Sequence, residues 1–411
     1  MGRFDRFFEG FEKSPEAAER RNEGRKHSPV SGLPNGRWVR DGVYLMEFSH
    51  RIGERHGSDP LLSPNDMNVM RAFGATGETV FLDLETTGLA GGTGTYAFLC
   101  GIGVVSGNEF KVMEFFLEGP AREAGFLDAL NSAISPGACL VTYNGATFDL
   151  PLLRTRHTMS RIEPAWEGQP HIDLLHHTRR LYRGYLESCS LGSVEKHVLG
   201  VRRSGEDIPG YLIPALYSQY LRSGDASPLK GVFYHNELDI VSLAALYCRV
   251  ARILDGDSEN WRELLRAGDL WQSRGKRDQA DRLWKMACRD PASRAEVLVR
   301  RAYIAKKSRD YAAAREHFLE TLTSLKERTV RLPHGITILS IREELAKLEE
   351  HKFRRPDAAL GHAEAALNWI KENRSLLGHD AATMYKAMMR RRERLMRKIS
   401  RTGAREPDYG N

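Results

Sequence analysis

Val80-Phe81-Leu82-Asp83-Leu84-Glu85, running on into Thr86-Thr87-Gly88, sets two acids among alternating apolar side chains. On a strand, residues two apart share a face, so Asp83 and Glu85 project together while Val80, Leu82 and Leu84 fill the other side. Two carboxylates side by side on a buried strand repel each other unless one is protonated or a cation lies between them. Hard divalent cations suit an all-oxygen site of this kind. The plainer alternative is an edge strand carrying two solvated acids.

Working outward, YAFLCGIGVV (96–105) and EFKVMEFFLE (109–118) read as two further strands, joined by a hairpin turn at Ser106-Gly107-Asn108. An amphipathic helix is expected over 122–134, a strand at ACLVTY (138–143) and a helix from Thr147. Three antiparallel strands followed by alternating helix and strand predict an α/β domain with a mixed sheet. Residues 1–40, polar and of mixed charge, read as a flexible lead-in, and 43–70 as a connection to the first strong strand.

Two more acids stand where a ligand site would need them. Asp149 closes Tyr143-Asn144-Gly145-Ala146-Thr147-Phe148-Asp149, where a strand ends and a helix begins. α/β sheets place ligands at that end of a strand, although an acid there also complements the helix N-terminus. Asp239 closes Tyr234-His235-Asn236-Glu237-Leu238-Asp239, ahead of the helical run IVSLAALYCRV. Alone, it reads as one more first-turn acid.

In this order the three segments resemble the motifs of the DEDD 3′–5′ exonucleases, which have a ribonuclease-H-like fold. The surrounding text is similar to the YprB-type branch of that superfamily over residues 40–255, in DLETTGLAGGTGTYAFLCGIG, YNGATFDLPLL, HIDLLHHTRRLYR, CSLGSVEKHVLGV, EDIPGYLIP and YHNELDIVSL. The resemblance implies two-metal hydrolysis of nucleic acid entering by a single-stranded 3′ end. Two Mg²⁺ or Mn²⁺ ions would be bridged by Asp83. Glu85 and Asp239 would complete one shell, and Asp149 would hold the other ion largely through water. It also makes Thr86, Thr87 and Leu89 candidates for holding the terminal nucleotide, and Asn144 for orienting substrate or the Asp149 loop. Turn roles are the simpler reading of these four.

One position departs from the pattern. The superfamily's third motif usually carries His five residues before the Asp, or Tyr four before it. Here His235 is four before Asp239 and Tyr234 five before. If a helix runs through the segment, four back lies on nearly the same face and five back well off it. With its ordinary pKa near neutrality as well, His235 is taken as the general base.

Other motifs are weaker. His171, Asp173, His176 and His177 fit no common zinc spacing, and a short strand followed by a solvated helix is preferred. Gly91-Gly92-Thr93-Gly94 lacks the GKS/T of a phosphate loop and reads as a flexible connection. Five cysteines form no CxxC pair, so disulfide and zinc-ribbon frameworks are set aside in favour of a reducing cytoplasm. No apolar run is long enough for a membrane span.

Beyond Leu254 the pattern turns all-helical. Ala280, Trp284 and Ala287 recur 34 residues later as Ala314, Phe318 and Thr321, the period of tetratricopeptide repeats, with an ordinary helical bundle as the alternative. The expected organisation is a flexible segment 1–40, a ribonuclease-H-like domain 41–255, a helical repeat domain 256–385 and a basic tail 386–411. The net charge of +7 divides unevenly: residues 1–255 hold 27 basic and 31 acidic side chains, and 256–411 hold 34 and 23. The run 390–401, with seven basic residues and one acid, suits a phosphate backbone or a solvated helix end. The leading expectation is thus a metal-dependent exonuclease with a helical module for substrate or a protein partner. A non-catalytic adaptor on the same fold is the alternative, and an endonuclease on a related fold the third.

Overall fold

The computed structural model describes residues 30–62, 64–88, 94–290, 293–326, 338–373 and 380–403. The chain divides at Ser258/Glu259 into an α/β unit and an all-helical unit.

The α/β unit is built on seven strands: β1 (Arg37–Arg40), β2 (Val43–Arg51), β5 (Thr79–Thr86), β6 (Ala97–Ser106), β7 (Glu109–Leu117), β8 (Cys139–Thr142) and β9 (His171–Asp173). A separate two-stranded ribbon pairs β3 (Arg55–His56) with β4 (Asp59–Pro60). The order across the main sheet is β1-β2-β7-β6-β5-β8-β9. The first five are mutually antiparallel, and β8 and β9 join in parallel. Ser106 pairs with Glu109 across a two-residue turn in which Gly107 has φ +60°, as the Ser-Gly-Asn signal predicts.

Two strands were not foreseen. Val43–Arg51 is not a connection: it pairs along its whole length with β7, from Val43 opposite Leu117 to Arg51 opposite Glu109. Its first four residues are buried on both faces, so the period-two signal of a half-buried strand is absent there. Within the supposed lead-in, Arg37–Arg40 forms the edge strand β1.

The helices of this unit are α1 (Pro64–Arg71), α2 (Glu123–Ala133), α3 (Asp149–Ser160), α4 (Leu174–Tyr182), the short α5 (Leu191–Val194), α6 (Ile213–Ser223) and α7 (Lys230–Asp255). On one face of β5, Val80, Leu82 and Leu84 enter a core with Phe126 and Leu130 of α2. The other face lies under α7, where Phe81 meets Tyr247 edge-on with ring centroids 5.5 Å apart. The approach of α7 depends on Gly101 and Gly103 of β6. A Cβ on Gly101 would fall 2.3 Å from Asn236 Oδ1, and one on Gly103 would fall 2.6 Å from Ile240 Cγ2.

The helical unit stacks hairpins: α8 (Trp261–Ser273) with α9 (Arg277–Ala287), α10 (Arg294–Lys307) with α11 (Tyr311–Lys326), and α12 (Ile338–His351) with α13 (Pro356–Glu372), followed by α14 (Asp380–Gly403). The residues related by the 34-residue offset, Ala280/Ala314, Trp284/Phe318 and Ala287/Thr321, are all buried on α9 and α11. Gly268 lets the Trp284 indole close on α8, where its Nε1 donates to Leu265 O at 3.1 Å. The described part of 386–411 lies within α14, which seats Met388 and Leu395 in the unit's core. Much of its basic run is paired internally: Arg391, Arg394 and Lys398 face Glu350, and Arg392 faces Glu364.

Candidate active site

Asp83 and Glu85 rise from the α7-facing side of β5, next to the end of the strand. α7 begins at Lys230, nine residues before Asp239, so that acid is mid-helix rather than in a first turn. With the helix continuous through 234–239, His235 and Asp239 share a face, and His235 Nε2 lies 3.5 Å from Asp239 Oδ2 and 3.9 Å from Glu85 Oε1. Glu85, His235 and Asp239 thus offer one ligand atom each, all within 4.8 Å of one another. Tyr234, one residue earlier, turns to the neighbouring loop, where its hydroxyl accepts from Ser204 N at 3.4 Å.

Hydrogen bonding fixes which nitrogen of His235 faces the acids. Nδ1 lies 2.7 Å from Asp207 Oδ1 and 3.0 Å from Arg203 Nη1, which leaves Nε2 turned toward Glu85 and Asp239. Asp83 is held from α7 as well: Asn236, fully buried, donates from Nδ2 to Asp83 Oδ2 at 2.9 Å. Gly101 stands opposite Asp83 on β6, leaving the space that the Asn236 amide fills.

Asp149 takes the first position of α3 and is 5% exposed. Its approach is set by the turn after β8, where Asn144 adopts a left-handed φ of +67°. Asn144 N–H and Ala146 N–H donate to the two oxygens of Asp173, at 2.9 and 3.1 Å, and the same carboxylate caps α4 through Leu175 N–H. Asp173 is therefore the clamp of the Asp149 turn. His171, beside it, is engaged with Thr142 Oγ1 at 2.8 Å. The Asn144 side chain accepts from Thr147 Oγ1, so its described contacts are those of a turn. Thr86 Oγ1 donates to Gly88 O, and Thr87 bonds Tyr96 through backbone and hydroxyl, which ties both to the strand-ending turn. Leu89 and most of the Gly91–Gly94 loop lie outside the described residues.

The centre is short of positive charge. Burial pushes Asp83 well above the usual carboxylate range, and Asp239, Asp149 and Glu85 add to it, with only the Asn236 bond pulling down. Glu85 is raised in the same way by burial, then by Asp239 and Asp149. Burial lifts Asp149 to about 7, with a further push from Asp173. Asp239 is raised by burial against the downward pull of Arg203 and His235. Four acids crowded toward their protonated forms are a set that a divalent cation would relieve, and carboxylate oxygens suit hard ions such as Mg²⁺ or Mn²⁺. A cleft of about 820 Å³ opens beside His235 and Asp239, lined also by Glu195, Lys196, Arg203 and Asp207.

Several of these residues escape a motif reading. Asn236 lies inside the quoted YHNELD segment but carries no metal-ligand chemistry of its own. Arg203, Glu195 and Asp207 lie in the resembling stretches or between them, and only folding brings them to the acids. Glu114 of β7, opposite Gly101 and fully buried, has no hydrogen-bond partner on either oxygen among the described residues. In sequence it is one acid in an apolar strand.

Comparison with known proteins places the domain in a superfamily. A family model described as RNase_H superfamily matches residues 80–251, from β5 through α7, which places the domain among ribonuclease-H-like folds. The chain is 35% identical over 345 residues to uncharacterized protein YprB of Bacillus subtilis (strain 168), covering 79% of this chain and 80% of that protein. It belongs to the YprB family. The superfamily points to a nuclease that binds nucleic acid and works with divalent metals. Among the described residues, no helix is long and apolar enough to cross a membrane.

Proposed function

We propose that the chain is a metal-dependent 3′–5′ exonuclease that hydrolyses phosphodiester bonds from a single-stranded 3′ end of DNA or RNA. The observation that carries this is the meeting of Glu85 on β5 with His235 and Asp239 on α7, beside a buried Asp83 held by Asn236. In this reading Asp83, Glu85, Asp149 and Asp239 hold two Mg²⁺ or Mn²⁺ ions. Bound ions would lower the pKa of the attacking water and neutralise charge on the leaving 3′-oxygen. His235 Nε2, turned toward the acids with Nδ1 engaged by Asp207, takes the proton from that water. Asn236 fixes the Asp83 carboxylate, and Asp173 fixes the turn that aims Asp149. Thr86, Thr87, Leu89 and Asn144 are the residues this reading assigns to the terminal nucleotide.

In the helical unit, the 34-residue offset supports tetratricopeptide-type hairpins that bind substrate or a protein partner. A cleft of about 810 Å³ there is lined by Arg294, Arg315 and Arg355 together with Glu316 and Glu320 around Phe353, a mixed-charge surface for such a partner. The reducing, cytoplasmic setting read from cysteine usage belongs to the same proposal.

The test is cleavage of 5′-labelled single- and double-stranded DNA and RNA with Mg²⁺ or Mn²⁺, with Asp83→Asn run in parallel. A ladder of single-nucleotide steps that vanishes in the variant is expected, and equal activity in both preparations sinks the site. His235→Ala against Tyr234→Phe then decides the base: loss with the tyrosine change alone would overturn the assignment to His235. An adaptor that binds without cutting is favoured by one observation, the ion pair between Arg203 and Asp239. Tight oligonucleotide binding with no cleavage at saturating Mn²⁺ would select it.

A further inference from the structure

Arg203 follows the helical turn Glu195–Leu199 and reaches back into the acid centre from a loop no motif marks. Its Nε and Nη2 grip both oxygens of Glu195 at 2.8 and 2.7 Å. Nη2 also bonds Asp239 Oδ1, and Nη1 lies 3.3 Å from Asp207 Oδ1 and 3.0 Å from His235 Nδ1. The two acids it bridges differ in kind. Glu195, with its side chain 3% exposed, has a second donor in Ser242 Oγ and takes no part in the converging trio. Asp239 is one of the three residues that converge on the candidate cation position.

A guanidinium stays charged at any working pH, and its planar fork can span two carboxylates at once. It therefore holds a unit positive charge at the edge of a centre made of acids. A divalent ion held by Glu85 and Asp239 needs the Asp239 oxygens and brings two charges close to a third. Like charges at such range repel strongly in a partly buried site.

We infer that Arg203 is a tethered counter-cation that sets metal affinity: it neutralises Asp239, and a divalent ion binds by displacing the guanidinium from Asp239 while Glu195 retains it. The inference rests on the metal-site reading above. Glu195 is then the anchor to which Arg203 retires, and the two residues act on the ion with opposite sign. Removing Arg203 frees Asp239. Removing the anchor's charge leaves Arg203 with Asp239 as its principal partner and holds it there.

The measurement is Mn²⁺ affinity of the full chain without nucleic acid, from the electron paramagnetic resonance signal of free Mn²⁺. Arg203→Met is expected to tighten binding about ten- to hundredfold, the weight of one charge-assisted contact. Glu195→Gln is expected to weaken it. A role confined to holding the fold would move both variants the same way, toward weaker binding, and that result overturns the inference, as does unchanged affinity in Arg203→Met. Should Arg203→Met fail to fold by circular dichroism, Arg203→Lys replaces it. A point charge cannot span both acids, so tighter binding by a smaller factor is expected, and no tightening refutes the proposal. Asp239→Asn separates the two readings. If it abolishes Mn²⁺ binding while Arg203→Met does not tighten it, the metal site stands and the counter-cation falls. If wild type and Arg203→Met both bind no Mn²⁺, the metal site itself falls.

Discussion

Gly101→Ala tests how α7 is held against the sheet, and with it how Asp83 is held. The added Cβ would lie 2.3 Å from Asn236 Oδ1 and 2.7 Å from Ile240 Cγ1. Both side chains are fully buried, so neither can swing into solvent. In an open strand the exchange would gain about 0.5–1 kcal/mol from the less flexible unfolded chain. Here overpacking costs about 1–3 kcal/mol. Pushing the Asn236 amide off Asp83 costs about 1 kcal/mol more. The net expectation is a loss of about 1–3.5 kcal/mol, the steric term outweighing the entropic one. Asn236→Ala alone loses the Asp83 bond and leaves a small cavity, for about 1–2 kcal/mol. Combined, the two changes should cost at least about 1 kcal/mol less than their sum, since the shortened side chain makes room for the new methyl. Urea unfolding of the α/β unit, followed by tryptophan fluorescence, measures all three, and Mn²⁺ affinity reports on Asp83 in the same samples. A neutral or stabilising Gly101→Ala, or additive losses in the double variant, would refute the close packing of α7 on β6.

Three further outcomes are expected. Glu114 is pushed well up by burial, then by Glu237 and Glu85, so the folded chain keeps a proton that the unfolded chain releases above about pH 4.5. Its contribution to stability is full below that pH and is lost as pH rises toward the raised folded value. Glu114→Gln should flatten that fall, and melting curves at pH 5 and 8 with the same slope as wild type would count against it. Asp173→Ala leaves the N–H groups of Asn144, Ala146 and Leu175 without their acceptor, for a loss of about 2–4 kcal/mol, with Asp173→Asn milder. Activity should fall with stability because the Asp149 turn loosens; a melting temperature within a degree of wild type would contradict the clamp. On α14, Arg390, Arg397 and Arg401 have no ion pair with an acid in the described structure, whereas Arg391, Arg392, Arg394 and Lys398 do. Replacing those three with Gln should lower the salt dependence of oligonucleotide binding by up to about one per phosphate contact removed, and an unchanged slope returns the stripe to a structural role.

Strands β5 to β8 are legible because clear turn signals bound them, at Thr86-Thr87-Gly88, Ser106-Gly107-Asn108 and Asn144-Gly145, although β6 and β8 are buried on both faces. β2 is not: Val43, Tyr44, Leu45 and Met46 are buried without alternation, and their partner strand lies far along the chain. The start of α7 was missed because Gly231, Tyr234 and Asn236 favour no helix on their own, and packing over Gly101 and Gly103 decides the matter. The basic run near the C-terminus reads as free charge in sequence because the acids that pair with it, Glu350 of α12 and Glu364 of α13, lie elsewhere along the chain.

The sequence by itself determined the parts that depend on neighbours along the chain. These are the paired acids of a period-two strand, the Asn-Gly turn ahead of Asp149, the 34-residue helical offset and the four-residue step from His235 to Asp239. Only the tertiary structure decided which groups meet across the chain. It put Asn236 on Asp83, Asp207 behind His235, Asp173 under the Asn144 turn, and Arg203 between Glu195 and Asp239. Periodicity fixes the direction of a side chain relative to its own backbone. Which charge ends up opposite it depends on how α7 and the loop before it pack on the sheet, and that packing is set by long-range contacts such as the space above Gly101.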